Sequence, residues 1–593
     1  MSAAIFLREA RQSWRGLLRR PGYLLLAVAT LALGVATSTA VFALIDQALL
    51  RPLPFPESDR LVTVGGYGSP ESNGGAPAFL APARAMQSVE SVGIARTWAT
   101  PANVARGEQK SVVKSIYADR GFLDTLGLPL AYGRNFDPTE DMPGGPQAVI
   151  VSYGFWQRFL GADPKVVGQS LELEGRKVQL IGVMSPRFQW PDSFDLIMPL
   201  QLQPGTTEMS FNEWIIARLK KGVSLATASQ EAKAAIMPVL LSNTHMSDGW
   251  RRGIQQHPPN ARALKASVFA APSGNTLWMF LGAAGCVLLI ALINIASLMV
   301  LRSLARRHDV AVRAALGGSW FRLASPAFSE GLLIGFMGSI GGILLAWLGL
   351  RLLGGFVPPE WLRGETVAAG PTSLLFAITM GLLVATAATA LSVARLRSIG
   401  LTSELIAGGR TGWSRSSGRL GRTLVVAQVA LAVVLLTIAA LFARSLQKLE
   451  EVPMGFQSKH VSLFDLAPLK AGHEQTGQVS EQARRVIERL EGMPGIDKAG
   501  VSTNPPTASQ LNFGATLADG RFLNVQYRLQ SPGFLDVFEI PLLAGRALVA
   551  TDQAGSERVC LVSQAFVRKY FDGQALGQLI SMQEEGRQVP MRV

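Results

Sequence analysis

The stretch from Arg302 to Glu330, RSLARRHDVAVRAALGGSWFRLASPAFSE, is short and basic. It lies between two apolar segments, each long enough to cross a membrane. Its chemistry is that of contact, not of bond-making. Asp309 and Arg313 stand at i and i+4 in the acid-first order that supports a helix. Arg306 and Arg313 lie two turns apart on one face. Gly317-Gly318 would end that helix, and Pro326 with Glu330 opens the next apolar segment. A charged helix across the mouth of two spans could serve as a lever for a partner protein. A positive loop that only fixes topology fits the same residues.

Catalytic patterns are absent from the sequence. No Gly-Lys pair occurs, which excludes a G-x-x-x-x-G-K-[ST] phosphate loop. H-E-x-x-H and G-x-S-x-G are missing. His245, His257, His308, His460 and His473 have no metal-ligand spacing and read as surface histidines. Acid pairs such as Glu140-Asp141 read as solvated loop charges. No enzyme, cofactor or metal site is expected in this chain. Cys286 lies in an apolar segment and Cys560 in the last polar block, so a disulfide between them is not expected.

The elements that must position the 302–330 stretch come from composition. The chain has 593 residues, 48% hydrophobic and 17% charged, less charge than soluble proteins carry. The net charge is +14, and many arginines flank apolar blocks, where they would meet anionic lipid headgroups. No zinc-finger spacing or aromatic RNA-binding signature accompanies them, so nucleic acid is not an expected partner. Residues 1–20 carry Arg8, Arg11, Arg15 and Arg19 on one helical face. They read as a cytoplasmic amphipathic helix on the bilayer or as a positive flank. Five spans are expected, at 21–45, 274–301, 329–350, 372–394 and 423–443, none with a charge in its central part. That pattern disfavours an ion-coupled carrier. The first span runs into Asp46 without a cleavage pattern and reads as an uncleaved anchor.

Arginines crowd the loops 302–328 and 395–422, whereas the 351–371 loop is balanced by Glu360 and Glu365. The positive-inside rule then puts the N-terminus in the cytoplasm and the polar blocks 46–273 and 444–593 outside. Both blocks read as mixed α/β, with strands such as Leu61–Val64, Val149–Ser152 and Lys177–Val183 and helices such as Tyr153–Leu160 and Leu225–Leu241. Residues 395–422 end in a Gly, Ser and Arg-rich linker. The outer blocks also repeat. Gly121-Phe122-Leu123-Asp124 returns as Gly533-Phe534-Leu535-Asp536, Gly133-Arg134 as Gly545-Arg546, and Val151-Ser152 with Phe155 as Val562-Ser563 with Phe566. The copy stops at Val593, near the equivalent of Gly182-Val183. The second outer domain is therefore expected to be incomplete, and the chain a truncated or shortened form.

Arg306-Arg307-His308-Asp309-Val310-Ala311-Val312-Arg313-Ala314-Ala315-Leu316-Gly317-Gly318, with Ser329-Glu330, resembles the signature of FtsX-like permeases, the membrane subunits of MacB-type ABC systems. Asp309 stands where a Glu is usual. The run Arg20-Pro21-Gly22 to Leu50-Arg51-Pro52-Leu53-Pro54-Phe55-Pro56 and the run Val151 to Phe159 look like the large duplicated ADOP permeases. Such proteins continue to a second three-span bundle. The resemblance implies a five-span helical bundle with two MacB-type periplasmic domains in the inner membrane. It implies a separate cytoplasmic ABC ATPase that docks on Arg306, Arg307, Asp309, Arg313, Leu316, Gly317 and Glu330. It implies work or export at the periplasmic face, with a periplasmic adaptor or a second permease as further partners. A membrane-anchored regulator without transport and an inactive truncated product are the competing readings.

Overall fold

The computed structural model describes residues 14–67, 74–188, 190, 193–242, 248–268, 274–305, 310, 320–356, 369–398, 415–466, 476–507, 511–553, 555–584 and 587–593. The chain divides into two compact units: 1–52 with 269–451, and 53–268 with 452–593.

Among the described residues, the first unit holds five helices long and apolar enough to cross a membrane: Pro21–Leu50, Leu277–Ser303, Leu323–Leu352, Pro371–Ala394 and Val425–Glu450. They form where the expected apolar runs lie, but the helices are longer. The second is Gly274–Ala305, the third Trp320–Leu353, the fourth Pro371–Ser398 and the fifth Arg415–Glu450. The third has 34 residues. That is about 51 Å of helix, against a hydrocarbon core of about 30 Å. The surplus carries helix beyond the apolar runs. Residues 302–305 and 320–328 are helical, and the fifth helix starts before 423 and runs past 443. The first helix passes 45 through a π-helical turn, Asp46–Leu50, so residues 46–52 belong to the bundle and not to the polar block.

The first helix is the hub of the bundle. Half of its apolar window is buried, against none of the fifth helix's window. Its neighbours make room by being small. A Cβ on Gly338 would meet Leu31 at 2.5 Å, one on Gly342 would meet Val35 at 2.6 Å, and one on Gly34 would meet Ala291 at 3.0 Å. Apolar helices gain no hydrophobic drive from packing together in lipid, so close contact of this kind holds them.

In the second unit, residues 53–268 form one sheet system of 11 strands. Strands β3 (Thr100–Arg106), β4 (Gln109–Ala118), β9 (Leu196–Pro199), β6 (Ala148–Val151), β8 (Arg176–Val183) and β7 (Ser170–Leu173) are hydrogen-bonded in that order, and β7 returns to β3. The ring closes and leaves no free edge. Its interior is Val104, Val113, Val149, Val151, Leu171, Val178 and Leu180, with Phe155 and Trp156 packed against them. A second layer runs β11 (Asn260–Ala263), β1 (Leu61–Gly65), β10 (Glu213–Leu219) and β2 (Val89–Arg96), antiparallel throughout. Helix Leu225–Leu241 covers it with Ala228, Ala232, Ile236 and Leu240, spaced four apart on one face.

Residues 452–593 repeat this plan. Strands β13 (Phe522–Tyr527), β12 (Leu511–Leu517), β14 (Leu579–Glu584) and β15 (Arg587–Arg592) lie in the order of β4, β3, β7 and β8. The matching motifs make matching bonds. Arg134 clamps Glu140 with two contacts of 2.8 Å, and Arg546 clamps Asp552 at 2.7 and 2.8 Å. Ser152 caps its helix through Phe155 N, as Ser563 does through Phe566 N. The repeat in the sequence is thus a repeat in the fold.

Candidate functional site

Arg302 lies near the end of the second helix and Glu330 inside the third. Their side chains are 7% and 6% exposed, and Nε meets Oε1 at 2.5 Å. The guanidinium also stacks over the Tyr23 ring at 4.5 Å and reaches the Gly16 carbonyl at 3.4 Å. Ser303 and Ser392 bond at 2.9 Å and bring in the fourth helix. The two helices that flank segment 306–319 are thus tied to each other and to the first helix. Two buried ions in apolar surroundings hold only as a pair. The helices extend past the apolar runs, and these charged ends pair inside the bundle. Glu330 turns its carboxylate toward Arg302. The other residues expected on the contact surface, Arg306, Arg307, Asp309, Arg313, Leu316 and Gly317, lie outside the described residues, as does most of the expected 395–422 linker.

A second polar contact sits at the far end of the first helix. Asp46 is 4% exposed. Its Oδ2 accepts from Arg51 Nε at 3.1 Å and from Thr372 Oγ1, on the fourth helix, at 2.7 Å. The π turn makes the first bond, since its i to i+5 spacing sets Arg51 beside Asp46. One turn earlier Phe42 stacks on Phe376 with centroids 4.2 Å apart. Sequence reading missed Asp46, Arg51 and Thr372. The one signal was an acid at the close of an uncharged run with an arginine five residues on.

Within the second unit Arg218, 8% exposed, holds the segment that begins it. It donates to the Pro56 carbonyl at 2.8 Å, and to those of Thr125 and Leu126 at 3.1 Å. The last two close helix Arg120–Leu126, where a cation suits the helix dipole. Nearby, Asp119 is buried. It accepts from Ile94 N at 2.9 Å and from Arg84 Nη2 at 2.7 Å. Burial pushes its carboxyl up to about 7 against those two bonds. In the second copy Ser531 takes its place and accepts from Val501 N at 3.0 Å with no charge.

The family model described as MacB-like periplasmic core domain matches residues 24–235 and again 423–593, and the one described as FtsX-like permease C-terminal matches 281–401. The chain belongs to the FtsX/MacB-type ABC permeases. Both MacB-type matches begin inside an apolar helix, the first and the fifth, so each copy of the domain comes with a helix of its own. The FtsX-type match takes in the second, third and fourth helices, with Arg302, Glu330 and Thr372. This permease is 22% identical over 289 residues to the pyoverdine export ATP-binding/permease protein PvdT of Pseudomonas syringae pv. tomato, covering 47% of this chain and 42% of the relative. It spans less than half of that protein's length. Among solved structures it is similar to the periplasmic region of MacB from Actinobacillus actinomycetemcomitans, with 14% identity, 31% of this chain, 86% of that one and a TM-score of 0.25. It is also similar to the extracellular domain of the noncanonic ABC-type transporter YknZ from Gram-positive bacteria, with 15% identity, 30% of this chain, 94% of that one and a TM-score of 0.24.

Proposed function

We propose that this chain is the permease subunit of an ABC-type system in which a separate cytoplasmic ATPase supplies the energy. The chain turns that energy into mechanical work or export at the periplasmic face. The observation that carries the reading is the Arg302–Glu330 pair, with Tyr23 and Gly16 on the same guanidinium. A load applied to segment 306–319 reaches three helices at once, and the first of them continues through its own backbone into the 53–268 domain. No Gly-Lys pair occurs in the sequence, which supports an ATP-binding part outside these residues. The relative PvdT is named as an ATP-binding/permease protein, which supports an ATP-binding part for this permease to work with.

In this reading the N-terminus is cytoplasmic and the two large domains are periplasmic, on the arginine balance of the short loops. Arg306, Arg307, Asp309, Arg313, Leu316 and Gly317 are the docking residues. Glu330 is a positioning residue that acts through Arg302. A periplasmic adaptor or a second permease completes the assembly. Exchanging the charges, with Asp309→Arg and Arg313→Glu together, should abolish co-purification with an ABC ATPase and leave membrane insertion intact. Undiminished co-purification would remove the docking role.

A further inference from the structure

The Asp46 carboxylate holds two partners that belong to different bodies. Arg51 is on its own segment, five residues on. Thr372 is on the fourth helix. If the first helix moves along its axis, Asp46 and Arg51 travel together. The buried acid keeps its counter-charge, while its bond to the neutral Thr372 hydroxyl, the Phe42–Phe376 stack and the Arg302–Tyr23 contact are given up. An acid paired across the interface would resist such a movement, because separation would leave a charge buried alone. The π turn removes that obstacle by keeping the ion pair local.

The contact with the third helix has a matching geometry. Leu31 sits on Gly338 and Val35 on Gly342, with Ala32 over Gly341. Side chains and notches both repeat every four residues, and both helices run in the same direction. A shift of one turn, about 5.4 Å, carries Leu31 from the Gly338 notch to the Gly342 notch. Packed interfaces of this kind move between discrete registers and do not slide continuously.

We propose that the first helix has two registers against the third, one turn apart, and that the Asp46–Thr372 hydrogen bond latches the register seen here. The proposal deepens the coupling function: it rests on that reading for what drives the step, but not for the latch itself.

Disulfide mapping of the full chain in membranes tests it. Cys286 and Cys560 are free and are first changed to Ser. Cysteines at Ala32 and Gly341 report the present register, since a Cβ on Gly341 lies 3.1 Å from that of Ala32. Cysteines at Val28 and Gly341 report the register one turn toward the C-terminus of the first helix. With no ATPase present, the first pair should dominate. Thr372→Val should raise the yield of the second pair relative to the first about ten-fold, while Thr372→Ser, which keeps the hydroxyl, should leave the ratio unchanged. Asp46→Ala, which removes the acceptor, should act as Thr372→Val does and decides the matter if the valine variant fails to accumulate. An unchanged ratio in these variants overturns the latch, and so does an equal shift in Thr372→Ser. Adding the ATPase and ATP separates the two ideas. A ratio that responds to Thr372→Val but not to ATP keeps the latch and removes the proposed drive.

Discussion

Removing either member of the Arg302–Glu330 pair strands a charge inside the helix bundle. Arg302→Gln or Glu330→Gln should each lower stability by about 3–5 kcal/mol, whereas Arg302→Met with Glu330→Leu together should cost far less. Unfolding midpoints in detergent check this. Asp119 gives a second test, with a defined sign. Its folded-state pKa of about 7 lies above the unfolded value of about 3.9, so the folded chain holds the extra proton between them. Its contribution to stability therefore falls as pH rises through that window, by at most about 1.4 kcal/mol per unit. Asp119→Ser copies the residue of the second domain and should flatten that slope, read from urea midpoints between pH 4 and 8. Glu330 was legible as part of a family signature, but its partner was not. Arg302 sits in a run of arginines whose common role is to mark a membrane border, and nothing in their spacing says which one folds inward. Asp119 is hidden in the same way, because burial decides its role and burial is a property of the fold.

At the scale of elements, the apolar runs announce the five helices, and the alternating runs announce strands such as Arg176–Val183. Their ends are not legible, because a helix continues for as long as its polar residues find partners. Asp46 finds Arg51, and Glu330 finds Arg302. The glycines behave likewise. Sequence marks the third segment as glycine-rich, yet only packing separates a glycine under a neighbour from one in open space. Gly338→Ala should cost about 1–3 kcal/mol by overpacking against Leu31, and adding Leu31→Ala should recover most of it. Gly282→Ala, with nothing within 4 Å, should be neutral. Thermal unfolding of these three variants and of Leu31→Ala alone, in micelles, closes this cycle.

At the scale of the whole molecule, the repeat was the most legible feature. Short motifs such as Gly-Phe-Leu-Asp and Gly-Arg recur because each makes the same local bond in both copies: a helix start or an arginine clamp. The pairing of strands around them is not written in any short motif, so the closed ring of six strands came only from the structure. Residues 53–268 carry their own core and the edge strand β11 that pairs with β1. Expressed alone they should fold as a soluble monomer with mixed α/β circular dichroism, checked by gel filtration and a cooperative melt. An aggregated product would show that the bundle is needed to complete the domain.

The pairing of β1 with β11 also sets an order of events during synthesis. Val62 bonds opposite Ala263, so the edge of the sheet stays open until about two hundred residues have followed its first strand. The first helix waits as long for the second. At about 5–20 residues per second, both remain unpartnered for tens of seconds. Through that interval Arg51, only five residues from Asp46, is the partner already at hand for the helix's acid.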